Sequence, residues 1–259
     1  MSTEDIDWPD WLVARARAFA ASGAMPVEPR LAATVVLLRE SGGPQVYVLR
    51  RVATMAFAAG MYAFPGGSVD PRDTEVQPRW AGPSPAEWAA RLAVPDEGTA
   101  RSIVCAAVRE VFEESGVLLA GPDAAGVVGD VSAPAWESAR LALLAREVGL
   151  AELLAARGLM LRSDLLAPWS RWITPEFEPR RFDTYFFLAP LPEPQRTRDV
   201  GGEAAHVLWG RPTDLLDLPM LPPTTATLRA LARHDSVDAA MAAARRRDLA
   251  PVQPKRPVM

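Results

Sequence analysis

Arg109-Glu110-Val111-Phe112-Glu113-Glu114-Ser115-Gly116-Val117 is the stretch from which the rest of the chain can be read. A helix over Thr99 to Ser115, ended by Gly116 in a left-handed turn, puts Glu110, Glu113 and Glu114 at i, i+3 and i+4. All three then share one face, within about 6 Å of each other along the axis at the helical rise of about 1.5 Å per residue. Carboxylates that close repel unless something neutralises them. Arg109 is placed to pair with Glu113 one turn on, and a hard cation such as magnesium or manganese, which prefers oxygen ligands, is the other remedy. An isolated run of this kind is by default a solvated helix face, so the decision rests on the flanking sequence.

The composition narrows the chemistry. The chain has 259 residues, 49% of them hydrophobic, and a net charge of −4 from 28 basic and 32 acidic groups. That length can bury a sizeable core. Cys105 is the only cysteine and His206 and His234 the only histidines, so disulfides and Cys/His zinc cages are excluded. Lys255 is the only lysine, which removes a G-x-x-x-x-G-K-[ST] phosphate loop and a pyridoxal Schiff base. Carboxylates and arginines are left to carry the chemistry. No apolar run is long enough to span a membrane, and Glu4 and Asp5 stand where a signal peptide needs positive charge, so a cytoplasmic protein is expected. The net acidity gives no support for a nucleic-acid partner.

Along the chain, Pro9 to Ala21 reads as an amphipathic helix, and Leu31 to Leu38 and Val46 to Leu49 as a hairpin joined by Ser41-Gly42-Gly43-Pro44. Ser84-Pro85-Ala86-Glu87 is a capping box for a short helix to Leu92. Strands are expected at Val117 to Leu119, Ser170 to Thr174, Arg181 to Leu188 and Ala204 to Trp209, and two helices between Pro134 and Arg157 broken near Gly149. One or two helices follow Pro222-Pro223 as far as Arg247, and the tail from Pro251 is expected to fray.

Upstream of the acidic helix lies the glycine turn Phe64-Pro65-Gly66-Gly67, and Ala106-Ala107 precedes the Arg-Glu pair. Together these resemble the Nudix box: G, five residues, E, seven residues, then R-E-U-x-E-E-x-G-U with U aliphatic. Every defined position from Arg109 to Val117 matches. The first half departs from the pattern. Asp73 stands where glutamate is usual, and the arginine expected at 81 stands at 109, so 28 extra residues separate loop from helix. This split box, the phrase G-x-x-x-F-P-G-G from Gly60, and W-x-T-P-x-x-x-x-R-R-F-D-T-x-F-F from Trp172 are similar to the peroxisomal-type coenzyme A diphosphatase branch. The arginine that related coenzyme A signatures carry four residues before Gly60 is replaced by Ala56.

The resemblance implies an α+β Nudix fold, a mixed sheet between helices, here as a single domain. Its core would span about 30–220, with an insertion at about 74–98 and a helical extension at about 221–259. It implies that the Gly67 carbonyl with Glu110, Glu113 and Glu114 binds Mg2+ or Mn2+. Arg109 would orient the glutamates, and Glu110, Glu114 or a distal acid such as Glu203 would act as base. The substrate would be a small-molecule nucleotide conjugate, first coenzyme A or acyl-coenzyme A, otherwise NADH or ADP-ribose. Arg50, Arg51, Phe64, Gly66 and Arg181 are the candidate substrate-binding residues. Arg180 and Tyr62 are open to either a binding or a structural role, and Asp183, like Glu203, to a catalytic or metal role or that of an ordinary loop acid. Cys105 and His206 read as structural, and Arg245-Arg246-Arg247 as a favourable charge at a helix end. A homodimer is the default for such a protein. The rival reading is a Nudix-fold module that binds a nucleotide without cleaving it.

Overall fold

The structure, a computed structural model, describes residues 10–52, 59–199 and 204–254. After helix α1 (Asp10–Ser22) come strands β1 (Arg30–Glu40), β2 (Pro44–Arg51), β3 (Tyr62–Ala63) and β4 (Gly66–Ser68). The segment up to the acidic helix holds α2 (Arg72–Glu75), β5 (Trp80–Ala81) and α3 (Pro85–Leu92), followed by the acidic helix α4 (Glu97–Ser115) itself. Then follow β6 (Ala120–Gly121), α5 (Pro134–Leu144), α6 (Leu150–Ala156), β7 (Met160–Arg162), β8 (Ala167–Ile173), β9 (Phe182–Pro190) and β10 (Ala204–Gly210). Helices α7 (Pro222–Leu231) and α8 (Val237–Ala244), strand β11 (Pro251–Val252) and a short 3-10 turn at Ser163–Leu165 complete the described elements.

The main sheet runs β10-β2-β1-β9-β8-β11 and is mixed: β1 is antiparallel to β2 and parallel to β9. Alternation along β1 builds two cores. Ala33, Val35 and Leu37 join Tyr185 and Phe187 beneath α3 and α4, whereas Val36 and Leu38 join Phe186 and Leu188 beneath α7 and α8. The result is a sheet between two helical layers. One edge of β1 carries β9 along its length. The other carries β2 opposite Leu38–Glu40 and β4 opposite Ala32–Thr34. The short glycine strand therefore lies within the sheet, next to α4.

The segment between β4 and α4 packs as part of this sandwich. The Ser84 hydroxyl accepts from the Glu87 N–H at 3.3 Å and the Glu87 carboxylate accepts from the Ser84 N–H at 2.7 Å, so the capping box forms. The fully buried Trp88 of α3 meets Phe187 edge to face at 5.8 Å. Helix α4 starts two residues earlier than expected because Asp96 caps it, accepting from Thr99 N–H at 2.8 Å. Gly116 ends it at φ 72°, as expected.

Two expectations are corrected. Val117 to Leu119 is buried extended chain, not strand, because the Gln195 side chain takes both backbone groups of Leu118, at 2.8 and 2.9 Å. Ala120–Gly121 pairs with β7, where the Leu119 carbonyl also accepts from Arg162 N–H at 3.1 Å. The tail does not fray at Pro251: Pro251 and Val252 lie parallel to Arg171 and Trp172 of β8. No helix among the described residues is long and apolar enough to cross a membrane.

Candidate active site

Helix α4 turns its acidic face to β4. Glu110, Glu113 and Glu114 are each buried there. The contact needs glycine twice. A Cβ on Gly67 would fall on the Glu110 carboxylate, 2.6 Å from its Cδ, and one on Gly66 would sit 2.7 Å from the Ala33 carbonyl oxygen. With no side chain in the way, the Gly66 N–H donates to Glu114 Oε2 at 2.9 Å.

The strand register decides which carbonyls face the acids. Val35 N–H donates to Pro65 O and Val69 N–H to Leu31 O, so positions 65, 67 and 69 point their backbone groups at β1. Positions 66 and 68 point away, and Ser68 O accordingly accepts from Arg109 at 2.9 Å. This corrects the expectation for Gly67: its carbonyl belongs to the ladder opposite Ala33, and the outward one at this bend is that of Gly66.

Arg109 binds the two halves of the split motif. Its Nη1 reaches Glu110 at 2.8 Å and Glu113 at 3.2 Å, while Nε and Nη2 grip Asp73 at 3.1 and 3.0 Å. With Ser68 O, this uses every N–H of the guanidinium. Asp73, the departure from the glutamate pattern, is thus a buried counter-charge to Arg109, and the 28 extra residues leave this pairing intact. Arg140, 1% exposed, clamps the far end of α4 by donating to Glu113 O at 2.8 Å, where a cation favours the helix C-terminus.

Arg109 carries one positive charge against the three carboxylates it contacts. Burial pushes the Glu110 carboxyl up to about 7 despite the pull of Arg109, with Glu113 adding to the rise. Burial also raises Glu113. Among the described residues no three acidic, histidine or cysteine side chains already converge as a ligand cage; Arg109 and the Gly66 N–H hold the carboxylates. The set nevertheless suits a hard divalent cation: its donors are all oxygens, and the cavity they line has room for an ion.

Two cavities share β4 as a partition. The acidic one, of about 280 Å3, is lined by Arg109, Glu110, Glu113 and Glu114 together with Asp70 and Arg72. The Arg72 hydrogen bonds hold the Asp70 carboxyl well below the usual carboxylate range. The other, of about 380 Å3, is walled chiefly by apolar side chains including Phe64, Trp172, Phe186 and Leu221. Arg51, Gly66, Gly67 and Ser68 line both.

The remaining candidates divide. Arg51, Phe64 and Gly66 are brought to the cavities. Arg50 is not: it is exposed, and its Nε donates to Gly60 O at 3.1 Å. Arg181 is placed otherwise than expected, because its guanidinium is spent on Thr174 O and Val27 O at 3.1 and 2.7 Å; its neighbour Arg180 lines the apolar cavity. Asp183 pairs with Arg171 at 2.6 Å, and Arg247 lies 3.9 Å over the Trp169 ring. Burial pushes the Cys105 thiol up to about 12, and His206 meets the Tyr62 ring edge-on. Glu203 lies outside the described residues, as does Ala56. Reading the sequence missed the pairing of Asp73 and the placements of Arg140 and Glu178; only Asp73 carried a signal, its position in the box.

Comparison with known proteins identifies the family. Residues 77–220, more than half of the chain, match the model of the NUDT19 Nudix domain. The acyl-coenzyme A diphosphatase NUDT19 of Gallus gallus is 28% identical over 211 residues, covering 67% of this chain and 55% of that protein. The Homo sapiens protein of the same name is 29% identical, covering 66% and 54%. The chain thus spans about half the length of these curated relatives. A crystal structure of a Nudix hydrolase from Alicyclobacillus acidocaldarius superposes with a TM-score of 0.66 at 33% identity, covering 83% of this chain and 96% of that one. By fold, motif and sequence, the chain belongs to the Nudix hydrolase family, with a Nudix domain of the NUDT19 type.

Proposed function

We propose that this protein is a metal-dependent diphosphatase that cleaves a nucleoside diphosphate conjugate, with coenzyme A or an acyl-coenzyme A as the substrate of first choice. The observation that carries the reading is the pair of cavities on either side of β4, one acidic and one apolar, with Arg51 lining both. A diphosphate with an extended, partly apolar substituent fits such a site end to end. The NUDT19 relatives, named acyl-coenzyme A diphosphatases, make coenzyme A the first choice.

Glu110, Glu113 and Glu114, with the outward carbonyl of Gly66, would hold Mg2+ or Mn2+. Bound there, the cation neutralises diphosphate charge and makes water a better nucleophile. The chain's own residues do the rest. Arg109 fixes the rotamers of Glu110 and Glu113, so the acids are in place before substrate arrives. Arg51 is positioned to hold a phosphate at the partition, where a guanidinium can bind two oxygens at once. A helix glutamate, Glu110 or Glu114, takes the proton of the attacking water. Water adds to phosphorus, the bridging P–O bond breaks, and each product keeps one phosphate of the diphosphate, the adenosine half of coenzyme A retaining its 3′-phosphate as well.

The test is product identification. Purified protein with coenzyme A and Mg2+ or Mn2+ is expected to give 4′-phosphopantetheine and adenosine 3′,5′-bisphosphate by mass spectrometry, and neither product with chelator. Intact coenzyme A beside cleaved NADH or ADP-ribose would move the substrate assignment. Silence over all three would overturn the reading in favour of a binding module.

A further inference from the structure

Glu178 stands apart from the acidic face. It lies in the turn between β8 and β9, lines the apolar cavity, and is only 5% exposed. Its Oε2 accepts from Arg15 Nη1 of α1 at 2.7 Å. Its Oε1 is buried and has no hydrogen-bond partner among the described residues. A buried acceptor left unmatched is costly, the more so on a charged group, and proteins keep few of them without reason.

The surroundings say what could meet this oxygen. Phe64, Trp172 and Phe186 are apolar wall, and the Thr174 hydroxyl is already engaged with the Phe182 backbone at 3.0 and 3.2 Å. The carboxylate is already paired with Arg15, and Arg51 and Arg180 on the same wall can take a ligand's anionic groups, so the ligand group that meets Oε1 itself complements it by donating. Rotation of a terminal carboxylate is soft, so the oxygen can turn to a ligand at little cost.

We propose that Glu178 determines specificity: Oε1 accepts a hydrogen bond from a neutral N–H on the portion of a diphosphate conjugate that occupies the apolar cavity. Two sources offer that group, the exocyclic amine of a purine and an amide of an extended arm. The inference rests on the reading that the diphosphate lies over the acidic face, and it deepens that reading.

Glu178→Gln tests it by reversing polarity. Arg15 demands an acceptor, so the amide oxygen turns to Arg15 and the NH2 replaces Oε1 at the cavity, a donor for an acceptor. Calorimetric binding of adenosine 5′-monophosphate, inosine 5′-monophosphate and 4′-phosphopantetheine to wild type, Glu178→Gln and Glu178→Met needs no turnover. It is therefore independent of whether coenzyme A is cleaved. If the purine amine is the donor, wild type prefers the adenosine ligand by about 10- to 100-fold, the range of a hydrogen bond to a charged group. Glu178→Gln then inverts that preference, and Glu178→Met abolishes it. If the amide is the donor, the two purines bind alike and 4′-phosphopantetheine weakens about 10- to 100-fold in both variants. Equal affinities for every ligand in all three proteins overturn the proposal, as does failure of wild type to bind any of them. The isosteric glutamine variant, checked by its melting curve, carries the test if the methionine variant does not fold.

Discussion

Glu114→Gln is expected to lower kcat by about 10²- to 10⁴-fold, the range for losing a group that moves a proton in the transition state. Glutamine keeps the size of the side chain and an oxygen that can still accept from the Gly66 N–H, so the contact between β4 and α4 survives. What goes is a negative charge on the face proposed to hold the cation and activate water. The effect therefore belongs in turnover, measured at saturating substrate and metal, while the thermal midpoint stays close to that of wild type. A variant within about threefold of wild type, too small a change for such a group, would place the chemistry elsewhere.

Arg109→Met is expected to act on the fold itself. The guanidinium is 7% exposed and pairs with Asp73, Glu110 and Glu113 at once. Methionine fills much of the space but leaves those carboxylates buried together without a counter-charge. Removing one partner from a buried ionic network costs about 3–5 kcal/mol. Denaturant unfolding of the metal-free protein should show a loss of that order, and added Mn2+ should restore part of it by supplying the missing positive charge. A loss below about 1 kcal/mol, the value of an exposed pair, would mean that the network is solvated.

What could be read from the sequence was local. The end of α4 at Gly116, the capping box at Ser84 and the break at Gly149 all depend on residues within a turn of each other. The acidic face was legible for the same reason, since i, i+3 and i+4 meet on any helix. Long-range partners were not. Asp73 and Arg109 are 36 positions apart, and only the fold brings them together. The apolar cavity draws on α1, β1, β8, β9 and the segment after Met220, so no single stretch announces Glu178 as part of its wall. Arg180 and Arg181 show a finer limit. Arg180 lies in the bend before β9 and Arg181 at its edge, and which one meets the cavity depends on the path of that turn, which composition does not encode. Strand alternation separates Gly66 from Gly67. Val117 to Leu119 looked like a strand because it is apolar, but the backbone partner of Leu118 is the side chain of Gln195, 77 residues away.

The central claim is that the acidic face between β4 and α4 is a cation site. Manganese titration followed by the electron paramagnetic resonance of free Mn2+ tests it without any substrate. Wild type is expected to take up Mn2+, and Glu110→Gln and Glu114→Gln to bind it at least about tenfold more weakly, the lower end of what metal-site substitutions cost. Equal uptake by all three proteins, or none by wild type, would contradict the account.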